Sequence, residues 1–172
     1  MDVFLEYTLQ LVAQGFAQGE GIDFNDTFSP TANLTAVQII TTIAVRNDWE
    51  LKQVDVDAAY LNASLKENIY MCQPKGFKVS GHEDKAIHLK RVIYGLRQSG
   101  HEWYEDLMTT LMNVGFCRCG VEHAMFYQFD QYAMILAVDV NDSIIASNSP
   151  KAMYVQPPSW ALSLIQGGAA TA

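Results

Sequence analysis

Four aspartates of this chain lie in or beside stretches whose residues are typical of β-strands. Asp55 and Asp57 alternate with valines within residues 51–60, and Asp139 and Asp142 lie near the end of a second β-rich run. Carboxylates from separate strands can hold Mg²⁺, which prefers oxygen ligands, and two such ions about 3.5–4 Å apart promote phosphoryl transfer. From composition alone, solvated acids beside turns are the commoner explanation, so this hypothesis depends on the strands lying side by side.

A hairpin is the clearest local signal among the elements that would position these acids. Residues 133–140 and 143–147 are β-rich and flank Asn141-Asp142. This pattern predicts two antiparallel strands joined by a two-residue turn at Asn141 and Asp142.

Hydrophobic periodicity predicts the remaining elements. Helices are predicted over residues 34–46, 58–65 and 100–114. Strands are predicted over residues 9–13, 51–57, 68–72, 86–93 and 124–129. Either Asn33 or Thr35 is suited to cap the first helix. Such a mixture, with an antiparallel hairpin, favours an α+β fold over a doubly wound parallel sheet.

Composition limits the function classes. The chain has 11 Lys and Arg against 19 Asp and Glu, a net charge of −8. This lowers the expectation of binding to a polyanion, although a local basic groove stays compatible with it. Three cysteines, an odd number, and no secretory signal predict a reducing intracellular location without disulfides. No apolar run reaches the roughly 20 residues that span a bilayer.

Two further segments differ from the rest of the chain in composition. Cys117, Cys119 and His123 offer only three ligands at an unusual spacing, so zinc binding is not expected there. Residues 153–172 contain no charged side chain and include two adjacent prolines and two adjacent glycines. This break in composition predicts an unstructured tail over residues 151–172.

Several longer stretches resemble one family in order and spacing. They are LVAQGFAQGEGIDFNDTFSP (11–30), DWELKQVDVDAAYLNASLKENIYMCQPKGF (48–77), LKRVIYGLRQSGHEWYEDL (89–107) and VDVNDSIIASNSP (138–150). Together they resemble the reverse transcriptase of copia-type LTR retrotransposons, over residues 8–150.

This resemblance implies a reverse-transcriptase palm with partial fingers. The fingers would comprise residues 8–48 and 67–97, and the palm residues 49–66 and 98–150; the thumb would be missing. The implied activity is RNA-directed DNA polymerisation, a nucleotidyltransferase reaction that uses two Mg²⁺ ions. The implied partners are an RNA/DNA primer–template and dNTP, with no membrane partner. The implied location is a cytoplasmic virus-like particle.

The resemblance also assigns site residues. Asp55 matches the first catalytic aspartate, and Asp142 the second of an adjacent pair in the hairpin; these two would be the metal ligands. Tyr60 matches the ring that crowds the sugar 2′-hydroxyl and so selects deoxynucleotides. Within the segment over residues 94–99, Tyr94, Arg97 and Gln98 would bind the incoming nucleotide.

The chain departs from the family pattern at a catalytic residue. Asn141 occupies the place of the first aspartate of the pair, and a neutral amide is a poorer magnesium ligand. Strand alternation would put Asp139 on the same face as Asn141 but about 7 Å away, too far to replace it. Gln10, Asn33 and Gln38 replace arginines of the family, which weakens phosphate binding. We therefore expect weak binding of metal, template and nucleotide, and an inactive polymerase.

Overall fold

A five-stranded antiparallel sheet forms the centre of the structure, a computed structural model that describes residues 10–155. Its strands follow the order β1-β7-β6-β5-β4. Within residues 10–155, the strands are β1 Glu50–Asp55, β2 Tyr70–Cys72, β3 Ala86–His88, β4 Cys117–Arg118, β5 Met125–Phe129, β6 Ala133–Asp139 and β7 Asp142–Ser147. The helices are α1 Leu34–Asn47, α2 Ala59–Asn62, α3 Ser99–Asn113 and α4 Pro150–Val155. Strands β2 and β3 form a separate two-stranded sheet.

Helix α1 covers one face of the large sheet. The Asn33 side chain accepts a hydrogen bond from the Ala36 backbone N–H at 2.9 Å, so Asn33 caps the helix rather than Thr35. Ile40 and Ala44 are buried against apolar residues of β6 and β7. Burial of this stripe fixes α1 across the strands that carry the predicted acids.

Helix α3 covers the opposite face, as its amphipathic pattern predicts. Trp103, Leu107 and Leu111 are almost fully buried, together with Phe126 and Leu136 of the sheet. Among the described residues, no helix combines the length and apolar composition needed to cross a bilayer.

The predicted mixed fold with an antiparallel sheet is confirmed, but several element predictions are not. Residues 10–13 form no strand, so the prediction over residues 9–13 is wrong for its described part. The predicted helix over 58–65 shortens to Ala59–Asn62, and the predicted strand over 86–93 shortens to Ala86–His88. Strand β4 was not predicted, because two residues are too few to show a periodicity.

The end of the described region differs from the predicted domain boundary at residue 150. Helix α4 begins at Pro150, and Met153 is buried in the same cluster as Trp103. An unstructured tail beginning at 151 is therefore wrong for residues 151–155. Residues 156–172 of that predicted tail lie outside the described residues.

Two glycines allow the N-terminal segment to cross the loop before α3. A Cβ on Gly95 would lie 2.2 Å from the Ala13 carbonyl oxygen, and a Cβ on Gly15 would lie 2.2 Å from the Gly95 carbonyl oxygen. Gly95 also has a φ of 92°, in the left-handed region. Residues 13–15 and 94–97 are thus held backbone against backbone.

We expect Gly95→Ala to lower the free energy of unfolding by about 2–3 kcal/mol, because it adds a backbone clash to an unfavourable φ. Gly76→Ala is the matched control. Gly76 has a similar φ of 85° but no atom within 4 Å of an added Cβ, so it should cost only about 1 kcal/mol. Urea unfolding of both variants measures the difference. Equal losses would show that the close crossing contributes nothing.

Candidate functional site

The hairpin between β6 and β7 turns one residue earlier than predicted. Asp139 pairs with Asp142, so the turn consists of Val140 and Asn141 rather than Asn141 and Asp142. Val140 has a φ of 49°, which is rare for a β-branched residue. Asp139 and Asn141 consequently do not share a strand, and the prediction that strand alternation places them on one face is wrong.

Two tertiary hydrogen bonds hold this turn. The Trp103 Nε1–H donates to the Val140 carbonyl oxygen at 2.8 Å, and the Val56 backbone N–H donates to the Asn141 carbonyl oxygen at 2.9 Å. Moving the turn from residues 140–141 to residues 141–142 would leave the same side chains on the buried face of the sheet, so the hydrophobic pattern does not decide between these two registers. The hydrogen bonds to the Val140 and Asn141 carbonyl oxygens fix the turn at residues 140–141.

Three carboxylates form a row across adjacent strands. Asp55 pairs directly with Asp142, which pairs directly with Asp139. Directly opposed residues of antiparallel strands project from the same face of a sheet, with Cβ atoms about 4.5–5.5 Å apart. All three side chains are exposed. The structure therefore brings Asp55 and Asp142 together, and adds Asp139 as a neighbour.

The Asp142 carboxylate already has an uncharged partner. Its Oδ1 accepts a hydrogen bond from Gln53 Nε2 at 2.9 Å, and Gln53 lies two residues before Asp55 on the same face of β1. In the described part of the chain, no three His, Cys, Asp or Glu residues are placed to hold a metal ion together. Of the residues that the resemblance assigns to the metal site and its defective position, Asp55 and Asp142 carry a negative charge and Asn141 does not.

Tyr60 connects the acid row with the segment over residues 94–99. Its ring centroid lies 5.0 Å from that of Tyr94, with a tilt of 57° between the rings. Burial raises the pKa of the Tyr60 hydroxyl above its ordinary value, and Tyr94 and Asp139 raise it further. The Tyr60 hydroxyl therefore stays protonated at neutral pH. It lies close enough to Asp139 for the charge of that carboxylate to raise its pKa.

Gln98 is bonded to the N-terminal segment. Its side chain is fully buried; Nε2 donates to the Asp23 carbonyl oxygen at 2.9 Å, and Oε1 accepts from Gln18 Nε2 at 3.0 Å. Both ends of the amide are therefore committed to the N-terminal segment. Nothing in the sequence marked Gln18 as the partner.

Arg97 is also bonded to the N-terminal segment. Its Nε–H donates to the Gly15 carbonyl oxygen at 2.8 Å, and its guanidinium lies 5.6 Å from the centre of the Phe24 ring. The side chain is nevertheless exposed. The structure therefore places Tyr60 and Tyr94 near the row of carboxylates. It places Arg97 and Gln98 where the N-terminal segment crosses residues 94–97.

Glu102, in the first turn of α3, was expected from the sequence to be solvated, but its carboxylate is buried. It is 2% exposed and forms an ion pair of 3.3 Å with Lys66. Burial raises the pKa of Glu102 above its ordinary value of 4.5; Glu67 raises it further, whereas Lys66 and His101 lower it. The rise outweighs the ion pair because desolvation disfavours the charged form.

We expect this carboxyl to make stability depend on pH. The folded state holds the Glu102 proton more tightly than the unfolded state, so its contribution is largest at low pH and is lost as pH rises through the raised pKa. Glu102→Gln should therefore gain stability relative to the parent chain between about pH 4 and pH 7. Urea midpoints across this range provide the measurement, with Glu105→Gln on the same helix as control. A difference that moves the other way would contradict the assignment.

Comparison with known proteins identifies the class to which this site belongs. The sequence profile of the family described as reverse transcriptase (RNA-dependent DNA polymerase) matches residues 2–155. The chain belongs to this family, and its relatives place it with the copia-type Pol polyproteins.

Three of these relatives come from plants. The chain is 36% identical over 143 residues to the retrovirus-related Pol polyprotein from transposon RE2 of Arabidopsis thaliana, which covers 83% of this chain. It is 32% identical over 149 residues to that from transposon RE1 of the same plant, covering 86%. It is 32% identical over 143 residues to that from transposon TNT 1-94 of Nicotiana tabacum, covering 82%.

The matched region is a small part of each relative. It spans 10%, 10% and 11% of their respective lengths. No solved structure matches the chain.

Proposed function

We propose that this chain is the RNA-directed DNA polymerase part of a copia-type element in which the polymerase site is impaired at residue 141. One observation carries the proposal: Asp55 and Asp142 face one another across β1 and β7, and Asn141 lies in the turn beside them. The large sheet with α3 would form the palm, and the small β2–β3 sheet would belong to the fingers.

The proposed site divides into reacting and positioning groups. Asp55 and Asp142 would be the surviving metal ligands, and any Mg²⁺ binding there would be weak because one carboxylate is replaced by an amide. Tyr60 and Tyr94 would form the wall against which the sugar of a dNTP lies. Gln98 would hold residues 94–99 against the N-terminal segment, since its amide is bonded to Gln18 and Asp23.

In this proposal Arg97 would contact a phosphate of the nucleotide. It is exposed although its Nε is bonded to Gly15. The remaining guanidinium nitrogens would be able to meet a phosphate of the nucleotide.

Magnesium-dependent primer extension on an RNA template tests the proposal. The chain, joined to the polypeptide that follows the matched region in one of its relatives, would be compared with the same protein carrying Asn141→Asp. Extension by the substituted protein alone supports an impaired polymerase. Efficient extension by both would show that residue 141 is not limiting.

A second candidate is a non-enzymatic transposon remnant that retains at most residual nucleic-acid or nucleotide binding. It is favoured by Asn141, a neutral amide at the position where the resemblance places a metal-binding carboxylate. Absence of extension by both proteins would favour it over the first candidate.

A further inference from the structure

The segment that leads from the large sheet to the small one is attached to α3 by polar contacts. Residues 63–69 connect α2 with β2. Within them, the Ser64 backbone N–H donates to Asp106 Oδ2 at 2.7 Å, and Lys66 Nζ lies 3.3 Å from Glu102 Oε2. We call the contact of residues 64–67 with α3 the α3 joint. It determines where the chain leaves the large sheet for the small one.

Two buried carboxylate oxygens at the α3 joint have no hydrogen-bond donor. Oε2 of Glu67 and Oε2 of Glu102 are both shielded from solvent, and neither accepts a hydrogen bond from the described residues. The Lys66 ammonium forms an ion pair with Glu102 but no hydrogen bond to this oxygen. Buried polar atoms without partners are rare in folded proteins because losing water without gaining a partner is unfavourable. These two oxygens therefore require a donor.

Charged groups reach Glu102 from both sides of the joint. Burial raises the pKa of Glu102 most; Lys66 lowers it, the charge of Glu67 raises it, and His101 lowers it. Lys66 and Glu67 come from residues 64–67, and His101 from α3 itself. The remaining acid of the joint, Asp106, is bonded to Ser64. Two carboxylates that share a buried place resist ionising together, so one of them keeps its proton.

We propose that Glu67 and Glu102 bind one proton between them, as a carboxyl group that donates a hydrogen bond to a carboxylate. One proton satisfies both oxygens, since it is carried by the first and accepted by the second. The proton comes from solvent, and no other group changes its charge. Because α3 provides one carboxylate and residues 64–67 provide the other, the shared proton holds the α3 joint closed.

The shared proton makes closure of the α3 joint depend on pH. The folded state binds this proton more tightly than the unfolded state, where a glutamate has its ordinary pKa of 4.5. The stabilising effect is complete below that pKa and is lost as pH rises through the raised pKa of Glu102. The joint is closed in acid and loosens as pH rises. Neither glutamate belongs to the proposed polymerase site, so the inference does not rest on the proposed function.

Urea unfolding of the whole chain between about pH 4.5 and pH 8 tests the shared proton. The reference is the double variant Glu67→Gln with Glu102→Gln, which lacks both carboxyl groups. Relative to this reference, the unfolding equilibrium constant of the parent chain should rise by up to about tenfold per pH unit, the limit for one proton.

Two substitutions of Glu67 separate a shared proton from an independent titration of Glu102. Glu67→Gln should remove most of the rise with pH, because its amide N–H is a permanent donor to the Glu102 carboxylate. Glu67→Leu is the matched control, since it removes the same charge without supplying a donor, and the rise should remain. Equal behaviour of the two variants would overturn the proposal, because Glu102 would then titrate without Glu67 as its partner.

NMR of the glutamate carboxyl carbons gives a readout that does not depend on unfolding. The two resonances are identified by their loss in Glu67→Gln and in Glu102→Gln. In the parent chain both should shift over the same two pH steps, as coupled groups do. A Glu67 resonance that titrates in a single step of its own would overturn the proposal, because the two carboxyl groups would then be independent.

Discussion

Asn141→Asp should raise the rate of magnesium-dependent primer extension by about a hundredfold or more. Each catalytic group that stabilises developing charge contributes a few kcal/mol, and each 1.4 kcal/mol is a factor of ten in rate. The substitution restores a carboxylate in the turn beside Asp142, where two strands already place Asp55 and Asp142 opposite one another. Single-turnover extension of a labelled primer on an RNA template gives the rate.

Two controls separate this effect from a change in net charge. Asn148→Asp adds the same charge at the other end of β7, where Asn148 Oδ1 already accepts a hydrogen bond from the Ala133 N–H; it should leave the rate unchanged. Adding Asp55→Asn to the Asn141→Asp protein should abolish the gain. If Asn148→Asp accelerates extension as much as Asn141→Asp does, the assignment of residue 141 is wrong.

The elements that depend on local pattern were predictable. Helix α1 is recognisable because Asn33 caps an apolar stripe, and α3 because Trp103, Leu107 and Leu111 recur on one face. The mixed antiparallel fold follows from these elements and the hairpin. The pairing of Asp55 with Asp142 was predictable only as a possibility, since periodicity indicates strands but not which strand lies beside which.

What could not be predicted depends on tertiary partners. The turn at Val140 and Asn141 is set by hydrogen bonds from Trp103 and Val56, which lie far from it in sequence. Gln98 belongs to a segment to which the family resemblance assigns nucleotide binding, yet both ends of its amide form hydrogen bonds with Gln18 and Asp23. Only a structure shows that a polar side chain already has its partners.

Trp103 belongs to the buried core and also forms a hydrogen bond with the turn at Val140 and Asn141. Its side chain is 1% exposed, and its Nε1–H bonds to the Val140 carbonyl oxygen. We expect Trp103→Ala to lower the free energy of unfolding by about 3–5 kcal/mol, because it leaves a large cavity, and to remove the partner of a turn carbonyl. This is a large share of the roughly 5–15 kcal/mol that stabilises a typical domain. Urea unfolding followed by circular dichroism measures the loss.

Trp103→Phe isolates the hydrogen bond from the packing. It retains an aromatic ring in the core but cannot donate to Val140, so the expected loss is about 1–3 kcal/mol. Made in the Asn141→Asp protein, it should also slow primer extension, because displacement of catalytic groups by about 1 Å can cost a factor of 100. Phe126→Leu, a buried change on β5 away from the turn, serves as control and should lower stability without slowing extension of the folded protein. If both variants slow extension equally, the Trp103 hydrogen bond does not position the turn, and the effect of Trp103 is on stability alone.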